Sequence, residues 1–361
     1  MNILYLANIR LPTEKAHGAQ IMKMCEAFAA AGAKVELVVT NRRTISEDPF
    51  AYYGVEKTFT ITRLPVWNTV GWGSVGFWFE SLTFARAANK YLRSHGADLI
   101  YGRDELVLRQ LDTTVPVIWE THTGAWNKAA QELAVRASKI VAISQGLKDF
   151  YVAHGVPAEK IIVAHDGIDL APFAKVQSQE DTRRRLGLPL DARIAMYVGR
   201  LDGWKGTDTL LKAAKDFAPM QLVIIGGEPK QVQKLLRQYP SVRFLGYRPY
   251  RELADNLAAA DVLVLPNTGQ DKVSAHFTSP LKLFAYMAAG KPIIASDLPS
   301  IREVLDTDEA YFFTPDDPQS LARAVRVAVG DSGAERRAAA AWAKVKRYTW
   351  QERAMIIMRA L

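Results

Sequence analysis

Cysteine is nearly absent from this sequence. The 361-residue chain has one, Cys25, which excludes an internal disulfide and fits a reducing compartment. It lies in QIMKMCEAFAAAG among apolar residues at helical spacing, so it reads as a packed thiol rather than a reactive one. Long apolar runs are missing too: none reaches the ~18–20 residues that a membrane-spanning helix needs. The start, MNILYLANIR, lacks a basic segment followed by a long apolar stretch, so no secretion signal is expected and the expected location is cytoplasmic. There is no zinc-finger spacing and no RNA-binding signature, and the basic residues are spread rather than blocked. Nucleic acid is therefore not an expected partner.

What is there describes a folded protein of more than one core. Hydrophobic residues make up 49% and charged residues 23% of the chain, and its length suits two domains. A net charge of +8 favours an anionic partner such as phosphate groups or a lipid surface. Short β-branched runs recur, NILYLAN, KVELVVT, DLIYGR, VPVIWE, KIVAIS and KIIVAH, with helical stretches at 18–32, 78–95 and 146–154 between them. After the polar AKVQSQEDTRRRLGLPLDA the alternation restarts with RIAMYVG, MQLVIIGG, VRFLGY, DVLVLPN, KPIIASD and AYFFTP. The expected fold class is α/β: two Rossmann-like doubly wound domains facing across a cleft, 1–170 and 171–348. Residues 349–361, around YTWQERAMIIMRAL, read as an amphipathic helix that must bury its stripe on something already built.

In open parallel sheets ligands bind beyond the carboxyl ends of the strands. Three loops of the second domain are therefore informative. In YVGRLDGWKGTDTLL a strand ends, Arg200 and Lys205 follow, two glycines permit a tight turn, and a helix begins near Thr207. Two cations at such a turn suit a diphosphate. In SPLKLFAYMAAG, Ser279 is placed as N-cap and Pro280 as first helical residue, leaving the N–H groups of Leu281 and Lys282 for an anion. Leu281, Phe284, Met287 and Ala288 form the expected buried stripe, with Ala285 near the Lys282 side. In LGYRPYREL, Tyr247 either flanks a flat heterocycle or packs within its loop.

GWGSVG, residues 71 to 76, matches Gly-x-Gly-x-x-Gly but does not directly follow a core strand, so a dinucleotide site is not expected there. The same region holds Trp67, Trp72, Phe77, Trp78 and Phe79, which with the positive charge suit peripheral contact with the inner face of a membrane.

Taken together the motifs resemble the family 4 retaining glycosyltransferases of the GT-B fold. GRLDGWKGTDTLLKA is similar to that family's donor-diphosphate loop. LFAYMAAGKPIIASDLPSIREVL is similar to its donor-site helix and following strand. AHGAQIMKMCEAFAAAGAKVELV is similar to its first-domain opening, where Gly18 would approach the donor. The resemblance implies transfer of a hexosyl group from a nucleotide-diphosphate sugar, a UDP-sugar first and GDP-mannose next, to a glycan or lipid-linked acceptor. It implies a first domain that binds the acceptor and a second that binds the donor, with a terminal helix crossing back onto the first. Cofactor and metal are not expected, and Asp306 and Asp308 read as a solvated turn. His122, in WETHTG, corresponds to a histidine near the transferred sugar, or is a structural histidine satisfied by backbone. Glu120 either orients it or is solvated, and Arg103 faces either the cleft or the surface. The family's two glutamates eight positions apart correspond here to Phe277 and Ala285. Ala285 stands where relatives grip the nucleotide ribose, so the chain is expected to be weakened there, or to be a catalytically silent nucleotide-sugar binder or scaffold.

Overall fold

The computed structural model describes residues 1–42 and 45–361. They form two compact units, Met1–His165 together with Trp350–Leu361, and Asp166–Thr349. Each is built on one parallel sheet.

In the first unit the strands are β1 Asn2–Ala7, β2 Lys34–Thr40, β3 Thr60–Leu64, β4 Leu99–Gly102, β5 Val117–Thr121, β6 Lys139–Ala142 and β7 Ile161–Val163. Their order is β3-β2-β1-β4-β5-β6-β7, with every pairing parallel. The central strands are buried on both faces, which is why they read as continuous apolar runs. β3 was not among the expected strands. TITRL alternates only weakly and is half-exposed at the sheet edge, so it carries none of the apolar signal that marks the central strands.

In the second unit the strands are β8 Ile194–Val198, β9 Gln221–Ile225, β10 Arg243–Phe244, β11 Val262–Leu265, β12 Ile293–Ser296 and β13 Tyr311–Phe313. They run β10-β9-β8-β11-β12-β13, again parallel.

Three helices carry or support candidate site residues. Ala16–Ala30 follows β1 and buries Ala19, Met22 and Cys25. Leu281–Ala288 precedes β12. Trp350–Arg359 buries Trp350, Arg353, Ala354 and Ile357, a stripe at helical spacing, and packs against the Ala16–Ala30 helix. The Gly-x-Gly-x-x-Gly match lies after edge strand β3, in the turn Val70–Trp72 and the start of helix Gly73–Leu92. A Cβ on Gly76 would sit 1.7 Å from the Thr69 carbonyl oxygen. That glycine serves the fold-back of its own turn. Among the described residues no helix is long and apolar enough to cross a membrane.

Candidate active site

In the second unit β8 and β11 are neighbours although the chain visits β9 and β10 between them. The connections reverse direction there, which leaves a crevice beyond the carboxyl ends of these two strands. The loop after β8 is held in it by glycines. Gly206 has φ +68°, and a Cβ on it would lie 1.6 Å from the Pro266 carbonyl oxygen just past β11. A Cβ on Gly226, after β9, would lie 2.1 Å from the Gly199 carbonyl oxygen. No side chain fits at either approach.

Arg200, Lys205 and Lys282 meet at this crevice. Tyr197, on β8, donates its hydroxyl to the Arg200 carbonyl (2.8 Å) and accepts from the Lys282 ammonium (2.8 Å). That ammonium lies 4.1 Å from the Tyr197 ring centroid, a cation–π contact. Lys205 Nζ stands 5.1 Å from the Trp204 ring centroid, and the exposed Arg200 pairs with Asp202 at 3.2 Å. Burial holds Lys282 well below its ordinary pKa; the charge of Lys205 lowers it further, and Asp202 acts the other way. Lys205 is lowered as well, by burial first, with Asp202 raising it and Arg200 lowering it. The cations thus crowd one another with Asp202 as the offsetting carboxylate. Anionic oxygens arriving between them would turn that repulsion into charge-assisted hydrogen bonding.

The helix carrying Lys282 differs from expectation at its start. Pro280 holds the N-cap position, with extended backbone, and the helix begins at Leu281. Ser279 lies one residue earlier and caps nothing; its hydroxyl accepts from the Asp166 amide at 2.9 Å. The first bond of the turn runs from Leu283 N–H to the Pro280 carbonyl (2.8 Å). The N–H groups of Leu281 and Lys282 come before it and have no acceptor within the helix. The expected stripe is also too narrow. Every residue from Leu283 to Ala288 is buried, Ala285 and Tyr286 at 0% exposure, while Leu281 is only half-buried. The reason is tertiary: Tyr286 reaches β8, its hydroxyl accepting from Val198 N–H at 2.9 Å, so the helix is covered on that side too. Phe277 lies half-buried in a short π-helical turn, Val273–Phe277. Tyr247 is 53% exposed, next to Gly246, whose carbonyl accepts from Gly226 N–H.

The first unit has its own switch point between β1 and β4. Glu120, on β5, is fully buried and works as a hub. Its Oε1 accepts from Gln20 Nε2 (2.7 Å) and lies 2.5 Å from His122 Nε2; its Oε2 accepts from the Tyr101 hydroxyl and from Arg353 (2.9 Å). Burial alone would raise this carboxyl, but Arg353, then His122 and Arg103, outweigh it and hold it well below the usual range. Glu120 is therefore neither solvated nor open to an acceptor. Arg103 is half-buried, donating to Gln20 Oε1 at 2.7 Å, and His122 follows β5 immediately. Gly18 is in the first turn of helix Ala16–Ala30. A Cβ there would meet the Tyr53 hydroxyl at 2.1 Å, and that hydroxyl bridges the Thr13 amide and carbonyl. Packing within the unit already requires that glycine.

Sequence reasoning missed Tyr197, His17, Gln20, Tyr101 and Arg353. His17 had a local signal, since it shares a helix face with Gln20, three residues on. Burial, then the charges of Arg103, Lys15 and His122, lower it to about 4. Asp306 accepts from the Asp308 amide and pairs with Lys344 in a turn. Among the described residues no three His, Cys, Asp or Glu side chains converge as a metal site.

Residues 18–172 match the family described as Glycosyltransferase Family 4, and residues 192–331 match Glycosyl transferases group 1. The chain belongs to glycosyltransferase family 4. This family 4 chain is 32% identical over 207 residues to a phosphatidyl-myo-inositol mannosyltransferase of Mycobacterium tuberculosis, covering 54% of this chain and 53% of that protein. It thus spans about half the length of the curated relatives it matches. Sucrose-phosphate synthase from Thermosynechococcus elongatus superposes with a TM-score of 0.80 at 20% identity, covering 99% of this chain and 97% of that one. Anabaena HepE, solved with UDP-glucose, gives 0.78 at 17% identity, with both chains fully covered. The fold is GT-B.

Proposed function

We propose that this family 4 chain is a retaining hexosyltransferase that uses a nucleotide-diphosphate sugar. The observation that carries the proposal is the cationic crevice of the second unit. Arg200, Lys205 and Lys282 stand at a strand-end switch point beside the uncapped first turn of a helix, two of them with depressed pKa values. Such a group suits a leaving diphosphate, whose charge grows as the sugar–phosphate bond breaks. In the transfer the anomeric carbon exchanges its phosphate oxygen for an acceptor hydroxyl oxygen, and the hydroxyl proton passes to the departing phosphate. Positive groups around the diphosphate do the work that a metal does elsewhere, so we assign no metal. A UDP-sugar is the first donor to test, in line with the UDP-glucose held by HepE. GDP-mannose is next, in line with the mannosyltransferase relative. A glycan or lipid-linked acceptor is assigned to the first unit, where His122 takes the part of a hydrogen-bond partner to a sugar hydroxyl.

A thermal-shift panel of UDP, GDP, ADP and their sugars tests this, because a ligand that binds only the native state stabilises it by mass action. Stabilisation by one nucleotide series, lost on Lys205→Ala, is the expected result. No shift with any of them removes the proposal. Ala285 favours a second reading, a nucleotide-sugar binder without turnover, which the same panel followed by a donor-hydrolysis assay separates from an enzyme.

A further inference from the structure

We propose that Arg353, on the terminal helix, is a positioning residue for His122, acting through Glu120. The proposal rests on the sugar-binding part given to His122 above.

Glu120 and Arg353 are 0% and 2% exposed, and each would be costly to bury without the other. Arg353 is fixed independently: its Nε donates to the His165 carbonyl at 3.0 Å and lies 3.3 Å from the Ala164 carbonyl. Its Nη2 reaches Glu120 Oε2 at 2.9 Å. The second oxygen, Oε1, faces His122 Nε2 at 2.5 Å. An ionised carboxylate only accepts, so the proton between them belongs to the imidazole, on Nε2. This fixes the ring's tautomer and its edge, in the manner of a carboxylate that orients a working histidine. Without Arg353 the buried carboxyl would take up a proton. It could then donate to Nε2, and the imidazole proton would move to Nδ1. The charge on a helix more than two hundred residues along the chain thus decides which ring nitrogen of His122 carries hydrogen.

Other groups facing this cluster are Tyr5 on β1, His17 and Gln20 on the first helix, and Tyr101 and Arg103 at the end of β4. Arg103, with Nε 3.9 Å from Glu120 Oε1, adds a positive charge beside this pair, whereas His17, lowered to about 4, is neutral near pH 7 and adds none.

The test is imidazole nitrogen spectroscopy on the full chain, with His122 assigned by its loss in His122→Gln. Wild type should show Nε2 protonated. Arg353→Met should lose that preference and lower the His122 titration midpoint by about one pH unit, the size expected for losing a carboxylate partner; Arg353→Lys should restore both. If Arg353→Met does not fold, the Glu120→Gln, Arg353→Met pair, which leaves no lone buried charge, carries the test and should show the same loss. A folded pair variant with the wild-type His122 spectrum and midpoint overturns the proposal. A shifted spectrum, with donor turnover unchanged in His122→Ala, supports the relay and overturns instead the part given to His122 at the sugar.

Discussion

Lys282 shows how one side chain records the ligand its surroundings suit. Its ammonium is buried beside Lys205, so its pKa falls below the ordinary 10.5. Between that lowered value and 10.5 the unfolded chain holds more protons on this residue than the native chain, so native stability rises with pH across the window. Binding a diphosphate reverses the shift, because the anion favours the charged form. Nucleotide binding should therefore take up protons in this window, and affinity should fall as pH rises. Calorimetry in buffers of different ionisation enthalpy measures the uptake, and Lys282→Met should reduce it while weakening UDP about ten- to a hundredfold, the range for one charge-assisted hydrogen bond. Zero proton uptake in wild type would mean the ammonium is already charged. Ala285 poses the complementary test. It lies three residues after Lys282, on the same side of the helix, but is fully packed, so a glutamate there must displace its neighbours to reach ribose hydroxyls. Ala285→Glu should tighten nucleotide binding and raise turnover about ten- to a thousandfold, the range for one to two charged hydrogen bonds to the ribose. Unchanged affinity and turnover would remove the ribose from this face.

Among the elements, the turns beyond β8 and β11 are held by a close backbone approach. Gly206 needs both its left-handed backbone and its bare α-carbon. Gly206→Ala should destabilise the chain by roughly 1–3 kcal/mol through backbone strain alone, and by more through the collision with Pro266. Its melting temperature and its nucleotide-induced shift should fall together. A variant with wild-type melting would show that the two loops can separate. The same element shows the limits of local pattern. Arg200, the glycines and Lys205 were legible because strand end, turn and helix start follow one another within a dozen residues. Ser279 had the composition of an N-cap, yet its hydroxyl is engaged by the amide of Asp166, which sequence spacing does not bring near. Edge strand β3 escaped notice because a half-exposed strand need not be apolar.

Across the whole molecule, one exposed stretch differs in its chemistry from the cationic crevice. Residues 65 to 79 contain no charged side chain, and Trp67 and Trp72 are 69% and 73% exposed, with Trp78 and Phe79 partly so. Tryptophans beside an amphipathic helix suit a membrane interface, and the net charge of +8 suits anionic lipid. Cosedimentation with anionic vesicles should be clear for wild type and reduced several-fold for Trp72→Ala, Trp78→Ala. Equal and negligible binding by both would end the idea.

By itself the sequence determined the two parallel-sheet units, the loops that carry Arg200, Lys205 and Lys282, and the placing of His122 at a strand end. Alternating strands, helices and glycine turns are short-range patterns and survive in one dimension. Only the tertiary structure decided that Tyr197 clasps Lys282 to the Arg200 loop, that Glu120 is buried, and that Arg353 neutralises it from the terminal helix. Those partners are set by which strands neighbour one another and by the burial that results. A buried charge must find its counter-charge wherever the packed chain brings one, however many residues separate them.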